Sequence, residues 1–232
     1  MKIIKANEKS LEENKNLVNR SIVPSYEEKH FCVFMVNIQS LENKIIDLNN
    51  DIYASKADHI CVVETWLDPK KETNLTIHER TFTHASQGRG KGCGRFSMST
   101  RKLSNQRTVI QEKYQMMSMI DETIPDFQYQ LILVYLSSNC PMSQVVDDLS
   151  HLLNPEMRTI ISGDFNFDKK EVNAMTVFLK ARMFTQVVTW PTHSQGRTID
   201  HCYVSENTKV SLTRHSPYYS DHSALCIEFD YE

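Results

Sequence analysis

The sequence predicts an α/β domain in which two mixed β-sheets pack face to face and helices cover the outer faces. Three observations lead there. Short apolar or β-branched runs recur, as in Phe31-Cys32-Val33-Phe34-Met35-Val36, Ile60-Cys61-Val62-Val63 and Thr159-Ile160-Ile161, and such runs suit strands buried on both faces. Between them lie stretches with apolar residues at helical spacing. The apparent strands are also too many for one doubly wound sheet, so a second sheet takes the remainder.

Taken in order, residues 1–30 alternate Lys, Glu and Asn with few large apolar side chains, and read as a polar lead-in to a domain over 31–232. The first strand ends in Asn37. Leu41, Ile45, Leu48 and Ile52 then repeat at helical spacing, with Ser40 as the expected N-cap. The second strand ends in Glu64. Strand, helix and strand in succession imply a right-handed crossover, and hence parallel strands with their carboxyl ends on one edge. Glycines alternate through 87–95 ahead of an apparent strand over 96–100. They open no helix and lack a Lys-Ser ending, so they are not a nucleotide-binding loop. Residues 114–121 and 130–136 read as paired strands, with Tyr135 near the end of the second. Val145, Val146, Leu149, Leu152 and Leu153 mark a helix leading to the strand that runs into Gly163, Asp164 and Asn166. A helix through Val172, Met175, Val177, Phe178 and Leu179 follows, and strands over 199–204, 210–212 and 223–229 close the chain.

Composition excludes some classes of function. The chain of 232 residues carries a net charge of -3 and a pI near 6.3, so a nucleic-acid partner would need a local basic patch. One candidate is the run containing Arg89, Lys91, Arg95, Arg101, Lys102, Arg107 and Lys113, opposed only by Glu112. It could track phosphates, and solvated strand edges carry the same charges for protection against aggregation. The six cysteines form no close pairs and four lie in apolar runs, which fits buried thiols of a reducing compartment better than disulfides or zinc. No apolar run approaches the roughly 20 residues that span a bilayer, and Lys2 and Lys5 interrupt the start too early for a secretion signal. An intracellular protein without a membrane partner is the expectation.

The polar groups at strand ends are Asn37, Glu64, Tyr135, Asp164, Asn166, Asp200, Asp221 and His222. Each has an ordinary reading beside a functional one. Gly163-Asp164-Phe165-Asn166 has the composition of a plain turn, and Glu64 alone could be a solvated carboxylate. Together the groups favour a hard cation such as Mg²⁺, with Mn²⁺ as a substitute, over a thiolate or histidine-rich zinc site. Ser220-Asp221-His222 is no hydrolase triad, because consecutive residues of an extended segment point to alternate sides. A cation held by carboxylates, with an imidazole and carboxamides beside it, suits phosphodiester hydrolysis.

The ordered series Asn37-Ile38-Gln39-Ser40-Leu41, Val63-Glu64-Thr65-Trp66-Leu67, Gly163-Asp164-Phe165-Asn166, Thr198-Ile199-Asp200-His201 and Ser220-Asp221-His222 resembles the endonuclease/exonuclease/phosphatase superfamily. Within it, Asn-x-x-Ser-Leu and Glu-Thr-Trp-Leu look most like the apurinic-type endonuclease domain of non-LTR (LINE-type) retrotransposons. The resemblance implies a four-layered α/β sandwich with its site at one end of the sheets. It also implies that Glu64 and Asp221 bind the metal, Asp164 activates water, and Asn37 and Asn166 support it. His222 would pair with Asp200 and stabilise the phosphate, Tyr135 would contact the phosphate, and Ser220 and Thr192 would assist. Two departures touch the family pattern: Leu136-Ser137-Ser138 replaces a common Arg-Pro-Pro after the tyrosine, and Cys93 breaks the glycine-rich strand.

The expected function is a Mg²⁺-dependent DNA endonuclease that nicks one strand to leave a 3′-hydroxyl, with access to the nucleus. A reverse transcriptase would be its partner if the chain belongs to a larger polyprotein. A phosphodiesterase or phosphatase acting on RNA or a phosphorylated small molecule is the alternative on the same core. An inactive domesticated DNA-binding module is a third reading, opposed by the presence of all the polar groups named.

Overall fold

The structure, a computed structural model, describes residues 30–67, 77–78, 80, 82–86, 95–100, 108–113, 116–124, 127–206 and 208–230. In chain order the strands are β1 (His30–Asn37), β2 (His59–Val63), β3 (Phe82–Ser86), β4 (Arg95–Thr100), β5 (Thr108–Lys113), β6 (Met116–Ile124), β7 (Phe127–Tyr135), β8 (Arg158–Asp164), β9 (Thr185–Gln186), β10 (Asp200–Val204), β11 (Val210–His215) and β12 (Ala224–Asp230). The helices are α1 (Leu41–Asn50), α2 (Ile52–Lys56), α3 (Met142–Leu152) and α4 (Ala174–Ala181).

Two six-stranded mixed sheets form, in the orders β11-β12-β1-β2-β4-β3 and β5-β6-β7-β8-β10-β9. Each contains one parallel pair, β1 with β2 and β7 with β8, joined by helical crossovers as the sequence pattern requires. The other pairings are antiparallel. Strand residues alternate between two environments. Phe31, Val33, Met35, Leu225 and Ile227 of one sheet meet Met117, Met119, Leu131, Leu133 and Ile160 of the other in a shared core. Their neighbours Phe34, Val36, Ile60 and Val62 pack on Leu41 and Leu48 of α1 and Ala54 of α2, whereas Ile132, Val134 and Ile161 pack on Val145 and Leu149 of α3 and Met175 and Leu179 of α4. Burial on both faces accounts for strands that are apolar almost without interruption.

Several local expectations change. The first helix stops at Asn50 and restarts at Ile52, because the Asp51 carboxylate caps α2 by accepting the N–H groups of Tyr53 and Ala54 at 2.8 and 3.2 Å. Ile52, expected on the buried stripe, is therefore exposed. Ser40 stands before α1 but adopts φ 84° and makes no side-chain cap; its hydroxyl accepts instead from Asn43 Nδ2 at 2.8 Å. Val172 precedes α4 and Val177 faces out, while Asn173 and Thr176 form a reciprocal capping box. Strands β3, β5 and β9 had no counterpart in the sequence reading. Cys61, Cys140, Cys202 and Cys226 are buried free thiols and Cys32 is half-buried, while Cys93 lies outside the described residues. So do residues 1–29 of the lead-in and the glycine-rich stretch over 87–94.

Gly163 is required where β8 approaches its exit. Its φ is 150°, and a Cβ there would lie 1.9 Å from the backbone oxygen of Val134, its register partner on β7. Backbone on both sides cannot yield without breaking the sheet. Gly163→Ala is expected to destabilise the domain by about 3 kcal/mol, from clash and strain together, as read from the urea unfolding midpoint. A loss below about 1 kcal/mol would show that β7 and β8 can part at this point.

Candidate active site

The first sheet brings two polar residues to one edge. β1 and β2 run in parallel with Asn37 beside Val63, so Asn37 and Glu64 leave their strands almost together. The buried Asn37 amide donates to Glu64 Oε1 at 2.9 Å and to Asp164 Oδ2 of the second sheet at 2.8 Å. Its own Oδ1 accepts the Gln39 N–H at 3.2 Å. Ser220 completes this side: its hydroxyl donates to the Asn37 carbonyl at 2.7 Å and accepts the His222 N–H at 3.1 Å.

The second sheet contributes two buried carboxylates, because Asp164 of β8 and Asp200 of β10 are direct antiparallel partners. Asp164 Oδ1 accepts the Asn166 N–H at 2.9 Å, and the Asn166 amide donates to the Leu136 carbonyl at 2.7 Å. That bond ties the turn after Asp164 to the end of β7, where Tyr135 pairs with Asp164. Thr192, fully buried, accepts the N–H groups of Ile199 and Asp200 at 3.1 and 2.9 Å and so fixes the start of β10. Asp200 in turn accepts from His222 Nδ1, which lies 2.9 and 3.1 Å from its two oxygens. A carboxylate can only accept here, so the imidazole proton on this side sits on Nδ1.

These contacts set the charges. Burial acts to lower the His222 pKa, but the hydrogen bond and charge of Asp200, followed by Asp164 and Asp221, raise it from 6.5 to about 9. The imidazole is thus a cation at neutral pH. Asp164 moves the other way from an ordinary carboxylate: burial first, then the neighbouring Asp200, push its pKa up against the opposing effects of His222, Asn166 and Asn37. Burial, together with the charges of Glu64 and Asp164, also raises the Tyr135 phenol, which stays protonated between Glu64 and Asn166 as a donor.

A divalent metal fits this edge. Glu64, Asp221 and the carboxamides offer hard oxygen donors, and Asp221 is exposed, so water can complete a coordination shell. Glu64 and Asp221 both act electrostatically on Lys44, whose ammonium donates to the Ile38 carbonyl at 2.7 Å. Among the described residues, the tight three-residue clusters of potential ligands are Asp164–Asp200–His222 and His193–Asp221–His222, and Glu64 stands in neither. The first is held together internally by the Asp200–His222 hydrogen bond. Asn37, Glu64, Tyr135, Asp164, Asn166, Thr192, Asp200, Ser220, Asp221 and His222 therefore gather at one edge. Of the proposed basic surface, Arg89, Lys91, Arg101 and Lys102 lie outside the described residues, and Arg95 opens β4. Lys44 and His193 also stand at the edge, although the sequence reading singled out neither. Their available signals were weak: Lys44 follows Asn37 on the first turns of a helix, and His193 directly follows Thr192.

Titration of the metal-free protein by NMR should place the His222 imidazole at about 9, and Asp200→Asn should lower that value. An unaltered titration in the variant would show that Asp200 does not maintain the charge on His222.

A model of the Endonuclease/Exonuclease/phosphatase family matches residues 36–222. Among solved structures, the endonuclease domain of TRAS1, a telomere-specific non-LTR retrotransposon, is 13% identical with a TM-score of 0.67, covering 87% of this chain and 98% of that one. The Neisseria 3′ phosphatase NExo, bound to a product DNA hairpin, is 15% identical at a TM-score of 0.62 and covers 87% and 100% of the two chains. The catalytic domain of human Nocturnin, with a bound sulfate anion, is 15% identical at a TM-score of 0.62, covering 88% and 94%. No curated protein matches the sequence. With the family match spanning every polar residue of the edge, the chain belongs to the endonuclease/exonuclease/phosphatase family of metal-dependent phosphoester hydrolases.

Proposed function

We propose that this chain is a Mg²⁺-dependent endonuclease that hydrolyses DNA phosphodiester bonds and leaves a 3′-hydroxyl. The observation that carries the chemistry is the buried Asp164, held by the Asn37 amide and the Asn166 N–H and set beside the Asp200–His222 pair. Mg²⁺ would be held by Glu64 and Asp221, and when bound it supplies positive charge to the phosphate oxygens.

The protein groups divide the remaining work. Asp164 accepts a proton from the attacking water, for which its raised basicity suits it. Asn37 and Asn166 fix its two oxygens, so it presents one orientation. The His222 cation donates from Nε2 to a phosphate oxygen as charge grows there, and Asp200 keeps the ring charged and oriented. Tyr135, kept protonated by its surroundings, offers its phenolic O–H as a hydrogen bond to the same phosphate. The new P–O bond forms to water, the P–O3′ bond breaks, and the departing 3′-oxygen takes a proton from solvent.

DNA as substrate is supported by the Asn-x-x-Ser-Leu and Glu-Thr-Trp-Leu motifs, by the likeness in fold to a retrotransposon endonuclease domain, and by the basic run near β4. Such a role calls for access to nuclear DNA inside the cell and, if the chain belongs to a larger polyprotein, for a reverse transcriptase as the partner it would serve.

Supercoiled plasmid with Mg²⁺ should be converted to open circles that DNA polymerase can extend, and EDTA should stop the conversion. Asp164→Ala should slow nicking by at least about 1000-fold and His222→Ala by about 100- to 1000-fold. Parallel incubations with RNA and with a small phosphate diester discriminate the substrate class. Cleavage of either one with intact plasmid would overturn the DNA assignment, while variants as fast as the native chain would overturn the residue roles.

A further inference from the structure

We propose that His193 is a positioning residue that holds Asp221 for the metal and braces His222. This rests on the metal-hydrolase reading above and extends it to a residue outside the motifs that define the site. His193 Nε2 lies 3.4 Å from Asp221 Oδ2, and its ring meets the His222 ring edge-on with centroids 4.8 Å apart. The contact is built by the backbone. His193 bridges His222 as an isolated antiparallel pair, the Ser194 N–H donates to the Asp221 carbonyl at 2.9 Å, and the Ser223 N–H donates to the Thr192 carbonyl at 2.6 Å. The turn is closed by the Gly196 N–H on the His193 carbonyl at 2.9 Å, with Gly196 at φ 80°.

His193, Asp221 and His222 are close enough to suggest a metal site of their own. The tautomer of His193 argues against that. Its Nδ1 accepts the Gln195 N–H at 3.1 Å, so in the neutral ring the proton resides on Nε2. A protonated Nε2 cannot ligate a cation, but it can face the Asp221 carboxylate and restrict its rotamers. Asp221 is exposed and would otherwise sample several orientations, whereas His193 is mostly covered. An imidazole that orients a ligating carboxylate raises metal affinity without touching the metal. Because the same ring abuts His222, one side chain links the metal-side carboxylate to the phosphate-side cation.

Mn²⁺ uptake by the metal-free protein, followed by loss of the free-ion EPR signal, tests this without any substrate. His193→Ala is expected to weaken binding by about 10-fold, and His193→Gln, whose amide can also donate to Asp221, to recover most of that loss. In an Asp221→Asn background, His193→Ala should change affinity by less than about twofold, since the effect runs through Asp221. Native affinity in His193→Ala overturns the proposal, as does an undiminished effect in the Asp221→Asn background. A Gln variant as impaired as Ala, with the unfolding midpoint of both lowered, overturns it in favour of a purely structural residue. A native chain that takes up no Mn²⁺ refutes the metal-hydrolase reading itself, a result separate from any difference among the variants.

Discussion

The hydrogen bond from Asn37 to Asp164 crosses from one sheet to the other, and the active edge depends on it. A second crossing bond joins His222 to Asp200, so the first sheet supplies two donors and the second supplies the two carboxylates they satisfy. Within each sheet the members of a pair are neighbours: Asp164 opposes Asp200, and the strands that carry Asn37 and follow His222 are adjacent. Two carboxylates buried side by side are tenable only when each meets a donor, since a stranded buried charge costs about 3–5 kcal/mol. Face-to-face packing therefore does at this end with polar groups what Leu133, Met35 and Leu225 do with apolar surface in the shared core.

Backbone strain is concentrated at the same edge. Among the described residues, seven that are not glycine have positive φ, and five of them, Gln39, Ser40, Glu64, Trp66 and Asn166, lie in the segments that follow β1, β2 and β8, the other two being His78 and Met183. Each such conformation costs about 1–3 kcal/mol and needs surrounding contacts to hold it. The segments after β1 and β2 provide them by bonding to each other: the Ile38 N–H reaches the Val63 carbonyl, the Ser40 N–H that of Glu64, and the Leu41 N–H that of Thr65, at 3.1, 2.9 and 2.9 Å. The Asn166 turn is held by Leu136 and Asp164. The five at this edge redirect the chain where a strand ends, so Glu64 and Asn166 face the edge instead of continuing outward.

The site was legible in the sequence wherever an apolar strand ends in a polar side chain. Asn37, Glu64 and Asp164 each follow such a run; one parallel crossover puts Asn37 beside Glu64, the other puts Tyr135 beside Asp164, and the packing of the two sheets joins the pairs. Asp200 and His222 were legible from their motifs together with the strands beside them. What escaped depends on contacts distant in sequence. The break at Asp51 is an example: its Oδ2 accepts from His215 and Tyr219, each at 2.8 Å and more than 160 residues away. Periodicity alone therefore continued the helix to Ile52. Ser40 has the composition of a cap, but the bonding of its backbone to Glu64 places it in the left-handed region and turns its hydroxyl toward Asn43. His193 acts through a bridge to His222, about thirty positions later, which no local pattern encodes.

The charges at the edge explain why metal and substrate should bind as coupled events. Glu64, Asp164, Asp200 and Asp221 face it, against the cations His222 and Lys44 and, at 3.5 Å from the Asn166 carbonyl, Arg197. A phosphodiester approaching that edge brings another negative charge into a region where Asp164 is already hard to ionise. If Glu64 and Asp221 hold a divalent ion, as proposed, its charge would reverse the balance on the side where the substrate must enter and would favour the ionised form of nearby carboxylates. It would also reduce the pull of Asp221 on His222, whose charge would then rest mainly on its hydrogen bond to the buried Asp200. The arrangement would thus separate two requirements: the ion would make the edge receptive to phosphate, while the buried pair preserves a cation to meet charge as it develops.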